Sequence, residues 1–161
     1  MADVSPLRLS AFDAEDLAII SAHLQDAVLK VGDMTFQPGE QRFGFIANRF
    51  DWMDGQDRST GPYRRARAGV TFERVEAVRT RNIRQANADA VLELLAIRFE
   101  PADAPSGVVL LEFAGGGSIR LETECIEVRL EDLGPVWETK SRPAHNPDGG
   151  ESSDGPASGK G

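Results

Sequence analysis

Arginines are the residues of this chain best suited to chemistry: ten lie between positions 42 and 84, with five acidic residues among them. That segment has a local charge of +5, whereas the whole chain carries −8. Arginine makes paired hydrogen bonds to carboxylate or phosphate, and an aromatic side chain beside several arginines can recognise a planar anion. The segment predicts a binding face for an acidic protein or a small anion, formed by Trp52, Arg64, Arg65, Arg67, Arg79, Arg81 and Arg84.

The same arginines also have a structural interpretation, because an acidic chain offers many carboxylates with which they can pair on a solvated face. Strand 118–125 shows such a pattern: Arg120, Glu122 and Glu124 alternate along one face, as cross-strand ion pairs do. Two carboxylates on one face can also bind a hard cation or share a proton. We prefer ion pairs for this strand, and internal pairing is the commoner outcome for the arginine-rich segment as well.

The glycine triplet at 115–117 is the segment most similar to a phosphate-binding loop. Dinucleotide fingerprints and P-loops place a helix directly after their glycines, because the free N–H groups of the helix N-terminus hold the phosphate. Here "SIRLETE" follows, which alternates like a strand. Glycines between two strands supply the positive φ values that tight turns need. We therefore predict a turn at this position and no cofactor site.

Histidine and cysteine supply no complete catalytic set. His23 flanks the apolar stripe of the first helix, His145 lies near the C-terminus, and the single Cys125 shares the parity of core residues on its strand, which predicts an apolar role. Two distant histidines and one cysteine predict neither a zinc site nor an internal disulfide. The sequence thus favours a non-catalytic binding or adaptor module. The alternative is a small enzyme or small-molecule binder with a pocket between helix and sheet, using His23 or a carboxylate pair.

One helix and a series of strands must position these residues. Segment 7–12 predicts a strand, and Asp13 can cap a helix over 14–27. The apolar face of that helix recurs at helical spacing and comprises Leu17, Ile20, Leu24 and Ala27. Alternating patterns then predict a hairpin of 28–37 with 41–50 around a Pro38-Gly39 turn, and the chain further predicts strands at 63–75, 76–83, 107–113 and 118–125. The apolar run at 90–101 fits a helix or a buried strand, and its β-favouring end before Pro101 favours the strand. Segment 126–137 has Ile126, Leu130 and Leu133 at helical spacing, which predicts a short closing helix.

This order of elements predicts an α+β fold. No βαβ alternation occurs, so the sheet should be antiparallel and strongly bent, or a partly closed barrel, with one main N-terminal helix over its open face. A pleckstrin-homology-like roll is one specific form, although that fold places its main helix at the C-terminus. We expect one domain over 1–140 and a disordered tail over 141–161, where no aliphatic residue is larger than alanine.

Charge and hydropathy disfavour several classes of protein. A net charge of −8 opposes general binding to nucleic acid or to anionic membranes. No apolar run approaches the length of about 18 residues that a membrane-spanning helix requires. The N-terminus also lacks the basic and apolar regions of a signal peptide. We therefore expect a cytoplasmic protein, and the oligomeric state stays open.

Several phrases of the sequence resemble a known family. They are "LQDAVLKVGD", "NRFDW", "LLAIRFEP", "GGGSIRLETECIE" and "LGPVWETKSRPAH". Together they are similar to a family of small bacterial proteins filed as a domain of unknown function, from about Leu7 to His145. The resemblance implies a cytoplasmic bacterial protein, and it assigns no activity to any residue.

Overall fold

The structure is a computed structural model that describes residues 6–51, 63–134 and 137–139. The predicted site residue Trp52, most of the loop around it and the predicted tail lie outside these residues. The described elements are one α-helix, α1 (Ala14–His23), and eleven strands: β1 (Arg8–Ala11), β2 (Val28–Lys30), β3 (Met34–Gln37), β4 (Arg42–Asp51), β5 (Tyr63–Phe72), β6 (Val75–Arg81), β7 (Val91–Pro101), β8 (Gly107–Phe113), β9 (Ser118–Thr123), β10 (Val128–Asp132) and β11 (Trp137–Thr139).

The strands form an antiparallel sheet in the order β1-β10-β5-β4-β2-β7-β8-β9-β6, with β3 paired to β4 and β11 paired to β5. The path of described strands ends at β1 and β6, so the sheet does not close on itself. The predicted α+β class with a mostly antiparallel sheet and one helix is confirmed. The predicted hairpin is also confirmed, since β3 pairs with β4 across a 3₁₀ turn at Pro38–Glu40.

Helix α1 begins as predicted and ends early. The Asp13 side chain accepts a hydrogen bond from the backbone N–H of Asp16 at 2.8 Å, which caps the first turn. The helix ends at His23, because Asp26 adopts a left-handed φ of 70° and its N–H donates to the carbonyl of Leu94 on β7. Leu24 and Ala27 lie beyond the helix and are still fully buried. Among the described residues, no helix is both long and apolar enough to cross a membrane.

Alternation along β4 and β5 builds one wall of the core. Phe43 and Phe45 on β4 and Phe72 on β5 are buried, and their ring centroids lie 6.1 to 6.5 Å apart. Ala66, Ala68, Val70 and Phe72 alternate along β5 and are all buried. This parity places Arg65 and Arg67 on the other face.

The predicted closing helix at 126–137 is wrong, because residues 128–132 form strand β10. Val128, Leu130 and Asp132 are buried, whereas the residues between them are exposed, which is a period of two. Leu133, which suggested the helical spacing, is 52% exposed. β10 lies between β1 and β5 and pairs with both along its length. The hydrogen bonds of the β10 backbone are made to these two flanking strands, both of which are distant from β10 in the sequence.

The glycine triplet forms the predicted turn. Gly115 and Gly116 adopt φ values of 88° and 95°, in the region that favours glycine, between β8 and β9. The N–H of Phe113 donates to the carbonyl of Gly117 at 2.9 Å, which closes the hairpin. Cys125 follows the end of β9 and is half-buried, so the parity argument that placed it in the core does not hold.

Candidate functional site

The predicted site arginines fall into two groups on strands that do not pair with each other. Strand β5 pairs with β4, β10 and β11, whereas β6 pairs with β9 at the far end of the described sheet. Convergence of all six arginines depended on pairing between β5 and β6, which the described sheet does not contain. The first group is Arg64, Arg65 and Arg67 on β5, and the second is Arg79, Arg81 and Arg84 on β6 or just after it.

In the β5 group, Arg65 and Arg67 have different environments. The guanidinium carbon of Arg65 lies 5.1 Å from the centroid of the Phe50 ring, within cation–π distance. Burial lowers the pKa of Arg65. Arg67 is exposed, while Arg64 stands opposite Asp51 of β4 and Glu138 of β11 in the strand register. In this group, Arg67 is thus the residue whose described side chain is exposed to solvent.

The β6 group contributes to a shallow cavity of about 370 Å³. The cavity lies on the outer face of β6, β9 and β8, the face turned away from the core. Arg79 stands directly opposite Arg120 across β6 and β9, and Arg81 stands opposite Ser118. Residues opposite one another on antiparallel strands share a face, so these side chains lie beside one another. The residues that line the cavity are Arg79, Thr80, Arg81, Leu110, Glu112, Ser118 and Arg120.

Three arginines on this outer face form a cross-strand row, in the order Arg98, Leu110, Arg120, Arg79. Leu110 is 8% exposed although it lies on the outer face. The aliphatic stems of arginines at either side can cover such a leucine while their guanidinium groups stay in water. The row therefore combines one buried apolar side chain, Leu110, with three cationic guanidinium groups.

Carboxylates in the two adjoining rows pair with these arginines. The Nε atom of Arg79 donates to Glu122 at 2.8 Å, and Arg98 donates to both carboxylate oxygens of Glu112 at 2.9 and 3.2 Å. The latter hydrogen bonds are the main reason that the pKa of Glu112 is lowered. Arg120 lies 3.6 Å from a carboxylate oxygen of Glu100. The cross-strand ion pairs predicted for strand 118–125 are confirmed. Arg79 also fits the structural interpretation of the arginine-rich segment, since it pairs with a carboxylate of the protein itself.

Arg81 differs from its neighbours. Its side chain is exposed at the end of β6, and no carboxylate of the described residues lies within the 4.0 Å of an ion pair. Arg84 follows in the exposed connection to β7. Sequence reasoning selected Arg81 and Arg84, but it missed Arg120 as a member of the same surface. That link depends on the register between β6 and β9, which no local pattern gives.

A buried ion pair lies elsewhere, between Arg49 on β4 and Asp132 on β10. Nε and Nη2 of Arg49 donate to the two carboxylate oxygens of Asp132 at 2.9 and 2.8 Å. The side chains are 2% and 0% exposed. The same carboxylate accepts from the backbone N–H of Leu7 at 2.8 Å. The pair thus joins β4, β10 and the segment that enters β1.

Two alanines make room for this contact. Ala66 of β5 stands opposite Arg49, and Ala68 stands between Ala47 and Asp132 in the register. Both alanines are fully buried and carry only a methyl group, so the Arg49 side chain can cross β5 to reach β10. An arginine at the buried parity of β4 and an aspartate at the buried parity of β10 are signals that sequence analysis did not use. The pair is enclosed, and it has a structural role.

A carboxyl pair is formed by Asp26, three residues after the end of α1, and Glu93 of β7. His23 is the last residue of α1 and is half-buried. The helix packs against β7, and the Ser21 hydroxyl of α1 accepts a hydrogen bond from the backbone N–H of Ile97 on β7. The Glu93 carboxyl of β7 lies close enough to Asp26 to share a hydrogen bond with it when one of the two is protonated. Burial first, then the charge and hydrogen bond of Asp26, raise the pKa of Glu93. The cavity described above is lined by none of these residues.

The carboxyl pair predicts a pH dependence of stability. Because the pKa of Glu93 is raised in the folded protein, the folded state holds this proton to a higher pH than the unfolded chain. The contribution of Glu93 to stability is therefore present at acidic pH and is lost as pH rises through the folded pKa. Glu93→Gln keeps a hydrogen-bonding group and removes the charge, so it should raise the free energy of unfolding at about pH 7 by no more than ~1 kcal/mol. The gain should disappear near pH 4, which urea denaturation at both pH values would measure.

The matched control is Glu76→Gln on β6, whose side chain is exposed. Its effect on the free energy of unfolding should be within about 0.5 kcal/mol at either pH. A Glu93→Gln protein that is less stable than the wild type at neutral pH, or equally changed at both pH values, would contradict the role of the pair.

Comparison with protein families agrees with the resemblance in the sequence. Residues 7–145 match the model of a family described as protein of unknown function (DUF2948). Comparison with curated proteins and with solved structures found no match. The match includes all the described strands and the helix. Because it covers most of the sequence, the chain belongs to this family of proteins of unknown function.

Proposed function

We propose that the protein is a non-catalytic binding module that docks an anionic group at the cavity lined by Arg79, Arg81 and Arg120. The observation that carries this proposal is the gathering of three guanidinium groups and the Ser118 hydroxyl on one exposed, concave part of the sheet. The partner has the chemistry predicted from the sequence, an acidic protein surface or a small anion.

The charges around the cavity favour an added anion. Arg79 and Arg120 stand directly opposite each other, and like charges in that position destabilise a sheet. Glu122 and Glu100 pair with these two arginines from the row on one side. On the other side stand Ser118, Arg81 and Glu112, and the Glu112 carboxylate is paired with Arg98. An anion bound there would contact Arg81 and offset the repulsion between the other two arginines, while their existing ion pairs stay in place.

Reversing the charge of Arg81 tests the proposal. Isothermal titration with polyglutamate and with inorganic phosphate should detect binding of at least one probe to the wild-type protein. Arg81→Glu should weaken that binding by about tenfold or more, because an attractive contact becomes repulsive. The fold should be unchanged, since Arg81 is exposed at the end of its strand.

Arg67→Glu is the matched control, because Arg67 is also an exposed strand arginine but lies in the β5 group. It should leave the affinity for both probes within about twofold of the wild type. Loss of binding in Arg67→Glu with retention in Arg81→Glu would assign the site to the β5 group. Absence of binding of both probes to the wild-type protein would contradict the proposed function.

A further inference from the structure

Strand β6 is an open edge of the described sheet. It is the last strand of the hydrogen-bonded path, and β9 is its one described strand partner. Its first residue is held by a hydrogen bond from the N–H of Val75 to the carbonyl of Gln41. From Ala77 to Arg81, the backbone groups that point away from β9 have no strand beside them among the described residues. Such an edge can template pairing with another chain.

The side chains of β6 define what an added strand would have to carry. Ala77, Arg79 and Arg81 project on the outer face, whereas Val78 and Thr80 share the parity of the core residues Leu121 and Ile119. Val78 is half-buried and packs against the core. Cross-strand neighbours on one face lie about 5 Å apart at Cβ. An added strand therefore fits if its outward residues are acidic and its inward residues are apolar and β-branched.

Charge also argues against a second copy of this chain as the occupant. Two β6 strands paired at this edge would bring Arg79 and Arg81 of one copy beside the same arginines of the other. Like charges on adjacent strands are destabilising, and charged edge residues are a common protection against self-association. The register of β6 with β9 shifts between Val75 and Ala77, and such an irregularity also protects a strand edge against self-association.

We propose that β6 binds an extended segment of a partner protein in which acidic residues alternate with β-branched residues. The segment adds a strand to the sheet, and its acidic side chains contact Arg79 and Arg81 on the outer face. This inference rests on the proposed function, because it uses the same arginines, and it adds the backbone edge of β6 as the second part of the site. The added strand would also extend the row of Arg98, Leu110, Arg120 and Arg79 by one acidic residue.

The experiment uses the full chain and a synthetic peptide in which glutamate alternates with valine. In an extended peptide, the N–H groups of all glutamates point to one side and those of all valines to the other. Two further peptides carry N-methyl groups, one on the glutamate amides and one on the valine amides. The edge pairing predicts that the unmethylated peptide binds, that one methylated peptide loses affinity by about tenfold or more, and that the other retains it. Hydrogen exchange of residues 77–81 should slow when the unmethylated peptide binds.

The other outcomes separate this inference from the proposed function. Equal binding of both methylated peptides, with unchanged exchange of residues 77–81, would overturn the edge pairing and leave an anion site at the arginines. Binding of inorganic phosphate without binding of any peptide would do the same and identify a small anion as the ligand. Binding of neither peptide nor phosphate would overturn both proposals.

Discussion

Replacing Arg49 by methionine should lower the free energy of unfolding by about 3 to 5 kcal/mol. The substitution leaves the Asp132 carboxylate, whose side chain is 0% exposed, with the backbone N–H of Leu7 as its described hydrogen-bond donor. A buried charge that has lost its partner is far more costly than the missing contact itself. The loss is large against the total stability of about 5 to 15 kcal/mol that is typical of a domain. Chemical denaturation monitored by circular dichroism would measure it.

Two companion variants make this result specific. Arg8→Met removes an exposed ion pair to Glu131 that also joins β1 and β10, and it should cost less than about 1 kcal/mol. The double variant Arg49→Met with Asp132→Leu replaces both charges by apolar groups and should recover most of the stability lost in the single variant. A single variant no less stable than Arg8→Met, or a double variant much less stable than Arg49→Met, would contradict the account of this pair.

Replacing Gly107 by alanine should cost about 1 to 3 kcal/mol, the range for overpacking a well-packed position. A Cβ at this position would lie 2.5 Å from the carbonyl oxygen of Glu100 and 2.5 Å from Cζ of Phe99. The Phe99 ring could move, but Glu100 is fixed in the ladder between β7 and β8, so the strands themselves must shift. Thermal or urea denaturation would measure the loss.

Gly39→Ala is the control for this effect. Gly39 lies in an exposed turn, and a Cβ there would meet no atom within 4 Å. Its substitution should change the free energy of unfolding by less than about 1 kcal/mol in either direction. If Gly107→Ala were as stable as Gly39→Ala, the close approach of β7 and β8 would be refuted. That approach matters for the site, because it sets Arg98 beside Leu110 in the outer row.

Local patterns predicted much of the fold. The alternation that buries Phe43, Phe45 and Phe72 is visible in the sequence, because side chains on a strand alternate between faces wherever the strand is placed. The cap at Asp13 is local in the same way, since it depends on residues within one turn. Helical spacing could not give the end of α1, which depends on a hydrogen bond from Asp26 to β7.

Long-range pairing explains what the sequence did not predict. Residues 128–132 form a strand because β1 and β5 flank them, although the spacing of the apolar residues also fits a helix. Arg49 and Asp132 are 83 positions apart, and their contact needs the register of three strands. The site shows the same limit. Arg79 and Arg81 could be selected from charge alone, but Arg120 joins them only through the pairing of β6 with β9.

Ion pairs and the proposed anion site lie on the same outer face of the sheet. Arg79, Arg98 and Arg120 each have a carboxylate partner within the protein, which orients their guanidinium groups on the exposed sheet. Exposed pairs of this kind contribute little to stability. Arg81 adds a cation that no described carboxylate pairs. The structural interpretation of the arginine-rich segment therefore applies to Arg79, and the proposed binding function depends most on Arg81.

The proposed function places a bound anion where Arg79, Arg81 and Arg120 meet. The most direct measurement is an NMR titration of the wild-type protein with polyglutamate and with inorganic phosphate, following the Nε–H signal of each arginine. We expect the signals of Arg79, Arg81 and Arg120 to shift with a common saturation curve, while that of Arg67 stays in place. Shifts centred on Arg67 and its neighbours on β5, or no saturable shift at all, would contradict it.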